Sequence, residues 1–253
     1  MRTMPKLENL DRTVHKNIRV DERTVFEVCK NISMCAVGLR EIPRLVVEYP
    51  IAFTRNENSE QFVCVALFGC EPTENVFWRD GQWDSLLLPL NIGRQPFNVT
   101  VADNPLAGAG QKELVSCLDV ENPAVQTERG EALFDAEGAE TPYLRHKLTL
   151  LLELVEDERR SREFTDHVAK LGLIRPFQLE FKPPGQAQPR KITGLHTIDE
   201  AKLRALDETT LADLNSRGYL HPIYAILSSI GQLQVLARRG AVQRTAANRV
   251  RTQ

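Results

Sequence analysis

The strongest constraint on the fold lies between Leu39 and Val99, where short apolar runs are separated by turn residues. Ile51-Ala52-Phe53-Thr54 follows Pro50 and reads as a strand, and Phe62–Phe68, apolar throughout, reads as a core strand. Asp80-Gly81, between Asn75–Trp78 and Gln82-Trp83, is a hairpin signal, because a two-residue loop needs left-handed backbone that this pair supplies. Leu39, Ile42, Val46 and Tyr49 recur at helical spacing, and Pro43 fits such a helix only in its first turn. Runs this short fall below the roughly 20 apolar residues that a membrane helix needs.

The flanking sequence continues the pattern. A short strand is expected at His15–Val20, a short helix at Asp21–Asn31, and a strand at Cys35–Val37. Phe97, Val99 and Val101 alternate with Asn98 and Thr100, as in a half-buried strand, and Glu113–Val120 reads as another. Asn104–Gln111 and Lys182–Pro189 are rich in proline and glycine and read as loops. Thr141-Pro142 opens a long helix, with threonine as cap and proline in the first helical position. Leu144, Leu148, Leu151 and Val155 form its buried stripe, Glu156–Glu163 a solvated face, and Gly172 its end. Phe177–Phe181 and Ile192–His196 are strands. Thr197 and Glu200 read as a capping box, and Asp207 as the cap of the next helix. The last helix is expected over residues 219–237, with Leu220, Ile223, Leu227, Ile230 and Leu233 on its buried face. The fold class is therefore α+β. A mainly antiparallel sheet, from residues 13–120 and 174–196, carries two long C-terminal-half helices packed on it. One domain spans 1–237, followed by a basic, flexible tail at 238–253.

The 253 residues are 42% hydrophobic and 26% charged, with a formal net charge of −2, so no global field favours nucleic acid. The first 20 residues lack the apolar core of a signal peptide. The five cysteines form no CxxC pair, which points to reduced thiols and a cytoplasmic protein. No Walker A, HExxH, GxSxG or dinucleotide fingerprint occurs, and the five histidines have no ligand spacing, so no cofactor or metal is expected. Trp78 and Trp83 are expected to pack on the hairpin. The tail carries Arg238, Arg239, Arg244, Arg249 and Arg251 with no acid, a candidate contact for an acidic partner or nucleic acid.

Several blocks, in order, resemble the SapC family over nearly the whole chain. Glu41-Ile42-Pro43 with Glu48-Tyr49-Pro50-Ile51-Ala52-Phe53 is similar to its "EFP…YPIVF" block. Leu67-Phe68-Gly69, Glu74-Asn75-Val76-Phe77 and Gly81-Gln82-Trp83 are similar to "LGL…GENLFV…GxW". Arg94-Gln95-Pro96-Phe97 resembles "RRYPF", with Gln95 in place of the aromatic residue and Gly93 in place of an arginine. Gly130-Glu131-Ala132-Leu133-Phe134-Asp135, with Gly138 and Thr141-Pro142, resembles "GEALFDxxGxxTP". His15–Val20 and, near the C-terminus, Leu195, Asp199, Leu203, Tyr224, Leu227, Ser228 and Leu233 complete the match.

The family is named for surface-array (S-layer) loci, and members lie beside flavin-dependent tryptophan-halogenase-like and receptor genes in many bacteria. The missing reaction motifs and the basic tail favour a soluble bacterial accessory protein that binds a protein or peptide partner, and the resemblance implies a surface-protein or peptide-modification pathway. The alternative is an enzyme with a dispersed site. The candidate binding residues are His15, Glu41, Arg94 and Asp119, which lie in or near the family blocks. Helix capping, turn bonding or a structural ion pair would explain the same four side chains. A peptide-transport permease label attached to some members does not fit a chain without an apolar span.

Overall fold

A computed structural model describes residues 5–56, 59–103, 112–181 and 190–251. The expected loops at 104–111 and 182–189 lie outside the described residues. The fold is α+β, its sheets are antiparallel, and the chain groups into two compact units. One contains residues 1–29, 80–83 and 90–155, and the other 30–79, 84–89 and 156–253.

The first unit holds two three-stranded sheets in place of a share in one larger sheet. Leu7–Asn9 and Phe97–Asp103 pair on either side of Lys112–Asp119. Val125–Gln126 and Glu131–Ala132 flank Arg19–Val20. The alternation read in Phe97–Val101 does not persist along the strand: Phe97 is fully buried, Asn98, Val99 and Thr100 are half-buried, and Val101, expected on the buried side, is exposed. Val20, Val25, Phe97, Leu118, Leu133, Leu144 and Leu151 form one buried cluster. Helix Glu22–Cys29 contributes Val25 and Cys29 to the interior.

In the second unit five strands lie in the order Ile174–Phe181, Arg190–Ile198, Ile51–Arg55, Phe62–Leu67, Met34–Ala36. Phe62–Leu67 is thus an interior strand, as its unbroken apolar character requires. Phe53 stacks on Phe164 at 6.4 Å, and Phe164 meets Tyr219 edge-on at 5.2 Å. Tyr49, Phe68 and Phe77 form a second aromatic group, with Tyr49 and Phe77 4.5 Å apart. Leu39–Tyr49 is less regular than its spacing suggests. Only Ile42–Leu45 is helical, with Pro43 in the first turn.

The long helix runs from Pro142 to Lys170 and supplies residues to both units. The Thr141 hydroxyl accepts from the Leu144 amide at 3.2 Å, the expected cap. At the other end Gly172 has φ +66°, and the amides of Gly172 and Leu173 donate to the carbonyls of Ala169 and Val168. That pairing closes the helix through a left-handed residue, a position that favours glycine.

Two helix boundaries differ from expectation. Thr197 lies in the strand that continues to Ile198, so the following helix is capped by Asp199, whose carboxylate accepts from the Lys202 amide at 3.1 Å. Asp207 caps the next helix as expected. The final helix is two: Leu220–Ser229 and Gln232–Arg251. On the first of them Ile223, Ile226 and Ser229 are buried while Leu227 is only partly covered, and Ile230-Gly231 separates it from the second. Ser229 accepts from the Ile51 amide at 2.9 Å, tying this helix to its strand. The second helix continues well past the expected end at 237, because Ala241, Ala246, Ala247 and the interspersed arginines are strong helix formers. Leu233, Leu236 and Ala241 are buried along it, and its side chains are described as far as Arg244.

Candidate functional site

Each of the four residues singled out by the sequence makes at least one structural bond or ion pair. His15 is buried, and its Nδ1 accepts from the Asp11 amide at 3.0 Å, with Nε2 3.8 Å from Glu8. Amides of Val14 and Thr13 hold the Asp11 carboxyl below its ordinary value, so this turn is built around a carboxylate. Arg94 donates through Nε to Asn91 and through its guanidinium to the Phe97 carbonyl and Asn98. Asp119 accepts from the Lys6 amide at 3.1 Å. Glu41 is buried and accepts from the Gly38 amide at 2.8 Å. His15, Arg94 and Asp119 belong to the first unit and Glu41 to the second. None of the four lines either of the two clefts described below.

A charged cluster inside the first unit escaped the sequence reading. Lys147 is 4% exposed, with its Nζ 2.6 Å from the Gly93 carbonyl and 2.7 Å from Glu22 Oε1. The ring of Tyr143 lies 5.2 Å from the same ammonium, and the Tyr143 hydroxyl donates to Glu22. Burial, with the Glu22 carboxylate beside it, pushes the Tyr143 hydroxyl far above its ordinary value. It therefore stays a hydrogen-bond donor and does not act as a base. The signal was present in the sequence: Lys147 lies three residues after Leu144 and four before Leu151, on the apolar stripe.

Two thiols of the second unit are similarly quiet. Burial, aided by Glu74, pushes Cys70 up to about 12, and burial raises Cys64 further. Neither supplies a thiolate nucleophile at neutral pH. Among the described residues no group of three or more His, Cys, Asp or Glu is placed to hold a metal ion.

The first unit carries a polar cleft of about 340 Å³ lined by Asp21, Arg23, Glu27, Gln82 and Arg129 among others. Its central acid is engaged. Asp21 precedes helix Glu22–Cys29, accepts from the Arg23 amide and the Thr24 hydroxyl, and ion-pairs with Arg129 at 3.1 Å.

The second unit carries a groove of about 330 Å³ along helix Gln232–Arg251. Val76, Val235 and Val242 give it apolar walls, and Arg79, Arg238 and Arg239 surround them. Val235 and Val242 are 47% and 59% exposed, unusual for two valines on a helix that buries Leu233 and Leu236. The helix is fixed from its other side. Gln243 donates to the Val76 carbonyl at 3.0 Å, and Arg244 pairs with Glu71 and Glu74. A Cβ on Gly240 would lie 2.6 Å from Glu74, so glycine permits this close seating. Arg239 lies over the Phe77 ring at 5.3 Å, which orients its guanidinium. Asp84 sits 3.6 Å from Arg79 and is the acid in the lining.

Among the described residues no helix is long and apolar enough to cross a membrane. Comparison with curated proteins and with solved structures found no match to either. The SapC family model matches residues 10–236, and the chain belongs to the SapC family.

Proposed function

We infer that the protein is an accessory protein that binds a protein or peptide partner through the groove along its last helix. The observation that carries this reading is the pair of exposed valines, Val235 and Val242, framed by three arginines on a helix anchored from behind. A monomer's exposed apolar residues usually stand singly, and a pair aligned in a groove with charged edges has the composition of a contact surface. The family's surface-array name supports a partner from a surface-protein or peptide-modification pathway, with the protein acting in the cytoplasm. The buried thiols and the protonated Tyr143 offer no activated nucleophile or base, which weighs against the enzyme alternative for these groups.

Affinity purification from the native host tests the reading. A tagged parent chain is expected to retain a defined protein that the Val235→Asp/Val242→Asp double variant loses, with both chains equally folded by circular dichroism. Equal retention by parent and variant would contradict a role for the groove.

A further inference from the structure

Resting on that reading of the groove, we propose that its occupant is an acidic, apolar peptide segment of a partner protein. The arginines are not equivalent, and their differences define the ligand. Arg244, at the inner side of the helix, is already paired with Glu71 and Glu74. Arg238 is exposed and makes no ion pair among the described residues. Arg239 holds its guanidinium carbon 5.3 Å from the Phe77 ring, is itself exposed and makes no ion pair among the described residues, so its N–H groups are open to a carboxylate. Arg79 already holds one carboxylate, that of Asp84, in a pair whose two side chains are 58% and 55% exposed.

An exposed pair of that kind contributes at most about 1 kcal/mol, so an incoming carboxylate can displace Asp84. Asp84 thus marks where a ligand carboxylate sits. Three guanidinium groups against one carboxylate leave the lining with a surplus of positive charge, in a chain whose net charge is −2. The charge is local, and it selects a carboxylate-bearing segment in a protein that otherwise repels acids weakly.

The apolar part sets the length. Val235 and Val242 are two helical turns apart, about 10 Å at 1.5 Å per residue. That distance matches about three residues of extended chain. The groove therefore accommodates a short segment in which apolar side chains meet Val76, Val235 and Val242 while acidic ones meet Arg238, Arg239 and Arg79.

Fluorescence anisotropy on the full chain tests the assignment. The probe is a fluorescein-labelled octapeptide alternating aspartate and leucine, with an asparagine–leucine octapeptide and a thymidine octanucleotide as comparators. The acidic peptide should bind, more weakly as salt is raised. Arg238→Glu/Arg239→Glu should weaken it by about tenfold or more, and Asp84→Asn should tighten it by about twofold or more. Thermal unfolding of each variant confirms that the fold is retained. Equal binding of the asparagine peptide would overturn the acidic preference and leave the groove's binding role standing. Absence of acidic-peptide binding up to millimolar concentration, indifference to the arginine reversals, or tighter binding of the oligonucleotide would each overturn the proposal. Loss of the partner role itself would appear separately, as equal retention in the valine-variant purification.

Discussion

Lys147 stands where the apolar stripe of the long helix would otherwise place a leucine, and its environment makes that tolerable. The ammonium meets a carbonyl of Gly93 and the Glu22 carboxylate instead of solvent. Removing one partner of such a pair costs more than the pair contributes, because the remaining groups stay buried. Lys147→Met should therefore destabilise the protein by about 1–3 kcal/mol through the unpaired carbonyl, and Glu22→Gln by more, because it leaves the buried ammonium without its countercharge, whereas the Glu22 left by the first variant is partly solvated. Urea denaturation of the two variants beside the parent checks the order, and an unchanged midpoint for Lys147→Met would contradict it.

His196 gives a pH prediction with a definite sign. Burial, with Arg55 nearby, lowers its pKa below the ordinary histidine value. The folded state thus binds the proton less well than the unfolded state. Its contribution is present above the unfolded value, near 6.5, and declines as pH falls through the folded value. Thermal midpoints at pH 7.5 and 5.5 should fall less in His196→Gln than in the parent. An identical fall in both would show that this ring does not report on folding.

At the scale of elements, the signals legible in the sequence were those with a local cause. Thr141-Pro142, Asp207 and Gly172 begin or end helices through bonds to residues only a few positions away, and each behaves as its chemistry demands. Asp80 and Gly81 both take positive φ, the geometry their hairpin signal requires. The misplacements have tertiary causes. Thr197 was drawn into a strand by pairing with Arg175, which left Asp199 to cap. Leu227 lost its central place because the face seated against strand Ile51–Arg55 is the one carrying Ile226 and Ser229, whose hydroxyl accepts from the Ile51 amide. Ile226→Ala should cost about 2–5 kcal/mol, and Leu227→Ala measurably less. Thermal unfolding decides between them, and the reverse order would mean the helix is rotated from the orientation described.

Residues 238–253 contribute more to the fold than a flexible tail would. Buried Ala241 and the Arg244 pair with Glu74 give this stretch contacts that composition alone does not reveal. A chain ending at Ala237 should unfold at a lower temperature than the parent, and an unchanged midpoint would contradict that docking.

For the whole molecule, the family and the α+β class were readable in the sequence, because ordered blocks and alternating strands survive without knowledge of contacts. The division into two compact units was not, since both draw on segments far apart in the chain. The groove was half legible. Arg238 and Arg239 were visible in a run without acids, but Val235 lay unremarked in the apolar helix and Val242 fell in the stretch expected to be a flexible tail. The central claim is that this groove is where a partner binds. In-cell photocrosslinking from a benzophenone amino acid at Val242, against the same residue at exposed Leu114 in the first unit, tests it most directly. A partner seated in the groove should give a discrete crosslinked protein from position 242 that is absent from position 114 and lost with Arg238→Glu/Arg239→Glu. The same products from both positions, or none from position 242, would contradict it.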